Sequence, residues 1–104
     1  MENKSKAETF IGFVMRTGKF RIGTNAAATL KKAYLVIVCK SASENCKKEA
    51  EKLARKFRCE LIETTNKTLG EMTHKENAKI MAVADEGLAK AIKDNSEKDF
   101  IARI

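Results

Sequence analysis

The residues with the clearest chemical potential stand between positions 19 and 32, where small polar residues lie among basic ones. Gly23 has no side-chain bulk directly before a predicted helix, so free N–H groups of the first helical turn can meet a phosphate. Asn25 offers both a hydrogen-bond donor and an acceptor to the edge of a base. On a helix, Asn25, Thr29 and Lys32 would share one face, with alanines between them that allow close approach to an RNA groove. Further polarity and charge come from Lys19, Arg21, Thr24 and Lys31.

The distribution of charge supports a polyanionic partner for this segment. The net charge is +7, and residues 1–32 hold seven Lys and Arg against two acids, whereas residues 65–104 hold seven of each sign. A localised basic excess is typical of proteins that contact RNA or DNA. The alternative is a general basic surface that keeps a small domain in solution, with Gly23 and Asn25 serving only as a helix cap and packing turn.

The sequence supplies neither a catalytic set nor a cofactor loop. His74 is the only histidine and lies in a polar stretch, and no G-x-S-x-G nucleophile turn is present. Segment 18–24 contains glycine and basic residues but does not match the G-x-x-x-x-G-K-[ST] phosphate loop. Asp85 and Glu86 are adjacent, as is typical of a helix N-terminus. We therefore expect a protein that is not an enzyme and takes no cofactor.

The cysteines favour neither a disulfide scaffold nor a metal site. Cys39, Cys46 and Cys59 contain no CxxC pair, and zinc sites need closely spaced ligands. An odd number of cysteines, all with apolar neighbours, favours buried thiols over disulfides. The N-terminus is polar without a signal region, and no run approaches the ~20 apolar residues of a membrane span. We expect a cytoplasmic protein without a membrane partner.

Helical and extended patterns alternate along almost the whole chain. Apolar runs predict strands at 20–22, 34–39, 59–62 and 80–84. Apolar spacing and caps predict helices at 9–15, from Thr24 or Asn25 to 32, after a Ser41–Glu44 capping box, after Thr65 or Asn66, after Asp85, and at 96–104. The strands are few and short, and the central run is apolar on both faces. The pattern predicts one α/β domain over 1–104, a three-layer α/β/α sandwich.

A series of short motifs resembles the kink-turn RNA-binding ribosomal proteins of the L7Ae and L30e group. The closest likeness is to small bacterial members of the YlxQ type. The matching pieces are 11–13 with 16–19, Gly23-Thr24-Asn25, 35–38, 42–45 with 47–48, 69–70 and 85–90. The resemblance covers about residues 8–93 and leaves 94–104 as a C-terminal extension. It implies a four-stranded mixed sheet in the sandwich.

The resemblance also implies a ligand, a bent RNA helix whose bulge adjoins sheared G·A pairs. In the family, a Gly-Thr-Asn-Glu stretch at a helix start meets those pairs, and Gly23, Thr24 and Asn25 match it. A second family contact is the loop before the last core strand, here around Lys75 to Lys79. This sequence has Ala26 where ribosomal members carry Glu and Thr29 where they carry Lys. Its segment 23–35 is also about one turn shorter than in YlxQ-type proteins.

Together these features predict non-catalytic binding of structured RNA, of the kink-turn type in rRNA or mRNA, through a basic helix N-terminus. The expected RNA-binding residues are Lys19, Arg21, Gly23, Thr24, Asn25, Thr29, Lys31, Lys32, Lys75 and Lys79. The alternative is a protein-interaction adaptor that keeps the fold without RNA selectivity. Phe100, Ile101 and Ile104 would be its contact, unless they cap the domain's own core. Ribosome association and oligomeric state stay open.

Overall fold

The computed structural model describes residues 6–65, 67–96 and 100–103. Helices and strands alternate along these residues. The helices are α1 (Lys6–Thr17), α2 (Thr24–Ala28), α3 (Glu44–Phe57), α4 (Leu69–Thr73) and α5 (Glu86–Asp94). The strands are β1 (Phe20–Ile22), β2 (Leu35–Val38), β3 (Glu60–Thr64), β4 (Ile80–Val83) and β5 (Phe100–Ala102). The predicted α/β class and its alternation of helices and strands are confirmed.

The strands form one mixed sheet in the order β1-β4-β2-β3-β5. Strands β2 and β3 run parallel, whereas the β1–β4, β2–β4 and β3–β5 pairs are antiparallel. The mixed character agrees with the expectation, but the sheet has five strands where four were expected. The register sets Leu35 of β2 opposite both Glu60 and Val83, and Val38 opposite Ile80. These pairings define two ends of the sheet, a Val38–Ile80 end and a Leu35–Val83 end.

The fifth strand lies where a terminal helix over 96–104 was predicted, so that prediction is wrong. Phe100 is 3% exposed and packs in the core, whereas the next residue, Ile101, is 51% exposed. This alternation suits a strand with one face inward. The Arg103 N–H donates to the Leu61 carbonyl at 2.8 Å, which extends the pairing with β3. The predicted apolar cluster is therefore divided between core and surface, and Ile104 lies outside the described residues.

Helices cover both faces of the sheet because the central strands are apolar on both sides. Leu35 and Ile37 belong to the cluster that contains residues of α1, α4 and α5. Val36 and Val38 belong to the cluster with residues of α2 and α3. All four side chains are 0% exposed, as expected for a strand between two helical layers. The three-layer α/β/α arrangement follows directly from this alternation.

Side-chain caps begin α3, α4 and α5, two of them at positions other than those predicted. Helix α2 begins after Gly23 without a side-chain cap, although Thr24 or Asn25 was expected to supply one. The Ser43 hydroxyl accepts the Cys46 N–H at 3.1 Å and caps α3, whereas Ser41 was expected to do so. Thr68 caps α4 in a capping box with Glu71, although Thr65 or Asn66 was expected. Hydrogen bonds from the Thr68 N–H and hydroxyl lower the pKa of Glu71 below its usual value. Asp85 caps α5 as predicted, accepting the Leu88 N–H at 2.8 Å.

A nearly buried carboxylate joins β5 and α3 to the sheet. The Glu63 residue is 9% exposed and accepts a hydrogen bond from the Arg103 guanidinium. The Lys47 ammonium lies 3.8 Å from its other oxygen, with only 15% of the lysine side chain exposed. Burial of these charges is tolerated because each has an opposite charge nearby.

We expect Glu63→Ala to destabilise the fold by about 2 kcal/mol, because it leaves Lys47 poorly solvated without a partner. Urea unfolding followed by circular dichroism would measure the change. Glu49→Ala is the control, since it removes only the exposed Glu49–Lys52 pair and should cost less than ~0.5 kcal/mol. Equal losses in the two variants would contradict the role assigned to Glu63.

Candidate nucleic-acid interface

The turn at Gly23 directs the chain from β1 into α2. Gly23 has φ 97° and ψ 150°, a backbone conformation essentially restricted to glycine. Its N–H donates to the Ile80 carbonyl at 2.9 Å, and its own carbonyl accepts the Ala27 N–H at 2.9 Å. Thr24 is half-buried, whereas Asn25 is exposed. The turn thus presents the Asn25 side chain to solvent at the Val38–Ile80 end of the sheet.

The loop before β4 reaches this same end, since its last residue precedes Ile80. Lys79 donates from Nζ to the Ser41 hydroxyl at 2.7 Å, and its carbonyl accepts the Cys39 N–H at 2.8 Å. The exposed Lys75 accepts the Ala78 N–H at its carbonyl, 3.3 Å away, which closes a tight turn. The structure therefore brings five of the predicted residues to one end of the sheet. We call this group, Gly23, Thr24, Asn25, Lys75 and Lys79, the Asn25 site.

Ser41 is a part of this end that sequence reasoning assigned to a different task. It was expected to cap α3, but its hydroxyl holds the Lys79 ammonium and lies 3.1 Å from the Cys39 sulfur. Burial raises the pKa of the Cys39 thiol, but hydrogen bonds from Ser41, the Leu69 N–H and Thr64 outweigh it and lower the pKa overall. The signal in the sequence was the position of Ser41, shortly after the predicted strand 34–39. Strand β2 ends, and strand β4 begins, at the same end of the sheet.

Three predicted residues lie toward the opposite end of the sheet. The Lys19 carbonyl accepts the Ala84 N–H at 2.9 Å, and its exposed ammonium lies 3.9 Å from Asp85. Lys31 and Lys32 belong to the exposed segment that leads into β2 at the Leu35–Val83 end. Strand β4 separates the two ends by about 10 Å at ~3.3 Å per residue. The sequence placed these lysines near Asn25 because it shows distance along the chain only.

Arg21 and Thr29 lie between the two ends. Arg21 pairs in register with Ala82, whose side chain faces the α2–α3 layer, and its guanidinium donates to the Phe20 carbonyl at 2.7 Å. The Thr29 hydroxyl donates to the Ala26 carbonyl at 2.6 Å and ends α2 there. The predicted helix to residue 32 is therefore too long, and Lys32 does not continue a helical face with Asn25.

The described residues contain no group of three or more metal-ligating side chains placed to hold an ion. All three cysteines are free thiols, but only Cys39 is buried as expected, whereas Cys46 and Cys59 are half-buried. Burial raises the pKa of Cys46, against the attraction of Lys79, and raises that of Cys59 to about 11, against Lys93. None of the described helices is both long enough and apolar enough to cross a bilayer.

Comparison with known proteins identifies a family and supports the fold. The model of the Ribosomal protein L7Ae/L30e/S12e/Gadd45 family matches residues 5–93. A solved structure described as "The structure of a protein with unknown function from Bacillus halodurans C" is similar to this chain with a TM-score of 0.76. It shares 18% identity, over 91% of this chain and 100% of that chain, and so supports the fold. No curated protein sequence gives a significant match.

We expect Gly23→Ala to destabilise the protein by about 1–3 kcal/mol, because an L side chain strains this backbone conformation. A Cβ at Gly23 would meet no atom within 4 Å, so the cost is conformational rather than steric. Gly12→Ala is the matched control, since a Cβ there also meets nothing, but Gly12 is helical and alanine should stabilise by up to ~1 kcal/mol. Urea unfolding of both variants checks this, and equal shifts of the same sign would contradict it.

Proposed function

We propose a specific RNA ligand for this chain, which belongs to the ribosomal protein L7Ae/L30e/S12e/Gadd45 family. This is a non-enzymatic RNA-binding family, so the predicted family resemblance and the absence of catalysis are confirmed. Membership of this family supports RNA binding as such, without naming the RNA. We propose that the RNA is a kink-turn-like element in rRNA or mRNA, bound in the cytoplasm through the Asn25 site as in YlxQ-type proteins.

The observation that carries the proposal is the 2.9 Å hydrogen bond from the Gly23 N–H to the Ile80 carbonyl. It joins the start of α2 to the start of β4, so the Gly23-Thr24-Asn25 turn and the 75–79 loop lie at the same end of the sheet. A single bent RNA can then contact both segments. If the two segments lay far apart, each alone would offer too few contacts for specific recognition of an RNA.

Asn25 is the residue suited to reading a base. Its side chain is exposed, and in the described part of the chain nothing hydrogen-bonds its amide. The amide can therefore donate and accept with the edge of one purine in the sheared G·A pairs. Lys75 is exposed and Lys79 half-buried, and both can approach phosphates, contacts that position RNA without reading its sequence.

The differences from the ribosomal motif shift the balance of contacts. Ala26 brings no carboxylate, and the Thr29 hydroxyl is committed to the Ala26 carbonyl. Selectivity then depends on Asn25 and on the shape of the RNA, since regular A-form helices hide their base edges and kinks expose them. We therefore propose a moderate preference for kink-turns, superimposed on backbone contacts.

We expect Asn25→Ala to weaken kink-turn binding by about 1–3 kcal/mol, the value of one bidentate base contact. The measurement is a titration with labelled kink-turn RNA and with a version whose G·A pairs are Watson–Crick pairs. The second RNA should bind the variant and the parent equally, because it offers no sheared pair to read.

Asn95→Ala is the matched amide deletion for this experiment. Asn95 ends α5, which covers the other face of the sheet, and its amide donates to the Ala91 carbonyl at 2.8 Å. We expect its Kd for the kink-turn to equal that of the parent chain. If Asn25→Ala also leaves that Kd unchanged, Asn25 does not belong to the binding site.

A further inference from the structure

Two short segments of the chain hold basic residues and no acidic ones. Segments 28–34 and 52–59 contain six of the 21 Lys and Arg residues and none of the 14 Asp and Glu residues. The remaining 15 basic residues are almost balanced by those 14 acids, while the whole chain carries +7. Lys52 and Arg55 pair with Glu49 and Glu51 just outside these segments, so the excess that carries weight is the set of four cations Lys31, Lys32, Lys56 and Arg58.

The fold brings the two segments together at the Leu35–Val83 end of the sheet. The Lys56 ammonium, in the last turn of α3, donates to the Ala28 carbonyl at the end of α2, 2.9 Å away. Residues 32–34 and 57–60 line one shallow cleft, with Lys93 on its border. The exposed cations here are Lys31, Lys32, Lys56 and Arg58, and we call them the α2–α3 basic surface.

The four cations of this surface are not neutralised by neighbouring acids. In the described ranges no carboxylate lies within ion-pair distance of any of them, whereas Lys52, Arg55 and Lys93 pair with Glu49, Glu51 and Glu60. Aromatic rings hold two of the ammonium groups in place. Lys32 lies 5.2 Å from the centre of the Tyr34 ring, and Lys56 lies 5.3 Å from that of Phe57. The surface therefore presents four cations that have no acidic partner among the described residues, and aromatic rings hold two of them.

The partner best matched to this surface is a phosphate backbone rather than a membrane. Stable membrane binding at a basic patch also needs apolar side chains that enter the acyl region. The exposed large hydrophobic residues among those described are Phe13 and Ile101, in α1 and β5, and neither lines this cleft. Cations spaced over two segments, without a deep pocket, suit the successive phosphates of a nucleic-acid strand.

We propose that the α2–α3 basic surface binds the phosphate backbone of a double-stranded RNA stem, as a second contact separate from the Asn25 site. The inference rests on the RNA-binding function but not on kink-turn selectivity. About 10 Å of sheet separates the two contacts, so one RNA whose stem continues past its kink can occupy both. The Asn25 site selects the RNA, and the basic surface adds affinity that does not depend on sequence.

The test is a double variant, Lys56→Gln with Arg58→Asn, in the full chain. Glutamine keeps a donor for the Ala28 carbonyl, and asparagine tolerates the left-handed conformation of Arg58, φ 54°. The control variant, Lys6→Gln with Arg16→Gln, removes the same charge from α1 on the other face of the sheet. Circular dichroism and urea unfolding establish that both variants fold.

Binding is measured against a kink-turn RNA and a continuous RNA duplex of equal length, at several salt concentrations. We expect the Lys56→Gln/Arg58→Asn variant, called the α3 variant below, to weaken binding to both RNAs by the same factor, roughly one to two orders of magnitude at ~100 mM salt. The slope of log Kd against log salt should fall by about 1.8, for two lost phosphate contacts. The control variant should change both the Kd and the salt slope much less.

Three results would overturn the proposal. One is an equal loss in the control variant, which would mean that only net charge matters. Another is unchanged duplex binding in the α3 variant. The third is binding of phosphatidylserine vesicles, but of neither RNA, through the same residues. A wild-type protein that binds both RNAs equally, and loses both in the α3 variant, would refute kink-turn selectivity and support the basic surface.

Discussion

Strand β2 is buried on both faces, and this constraint organises the rest of the molecule. Its four residues are 0% exposed, and it lies between β3 and β4. Each face needs a helical layer, so α1, α4 and α5 cover one side while α2 and α3 cover the other. The connections between strands and helices must then emerge at the two ends of a short sheet. Both proposed RNA contacts lie at those ends, in the connections and in the helix termini beside them.

Local chemistry made part of this fold predictable. The apolar runs that become β2 and β4 and the Asp85 cap of α5 depend on neighbouring residues, and the structure has them where the sequence predicts them. Ser41 and Ser43 could not be distinguished in this way. Both are hydroxyls before α3, and the distant Lys79 engages the first, while the second caps the helix. Strand β5 could not be predicted from its neighbours in the sequence, because it is stabilised by Glu63 and Leu61, about forty residues earlier in the chain.

In the candidate site, too, the local features are visible in the sequence, whereas the contacts between distant segments are not. The turn at Gly23 and the polar Asn25 stand out in the sequence, but their placement at the same end of the sheet as Lys79 depends on the β1–β4 pairing, which only the fold supplies. The basic residues of the first third of the chain looked like one patch. The sheet register distributes them between two ends, and the end of α3 adds Lys56 and its C-cap Arg58, neither of which the sequence placed among the RNA-binding residues.

The short strand β5 has a consequence for how the protein behaves at high concentration. Without β5, strand β3 would be the sheet edge, with a row of unpaired backbone N–H and C=O groups over five residues. Such an edge is a template for pairing with another chain. The three residues of β5 pair with this edge of β3, and the ion pair between Arg103 and Glu63 stabilises the pairing. Strand β5 therefore covers the edge of β3 against pairing with another chain, and removal of β5 by a protease would expose that edge to self-association.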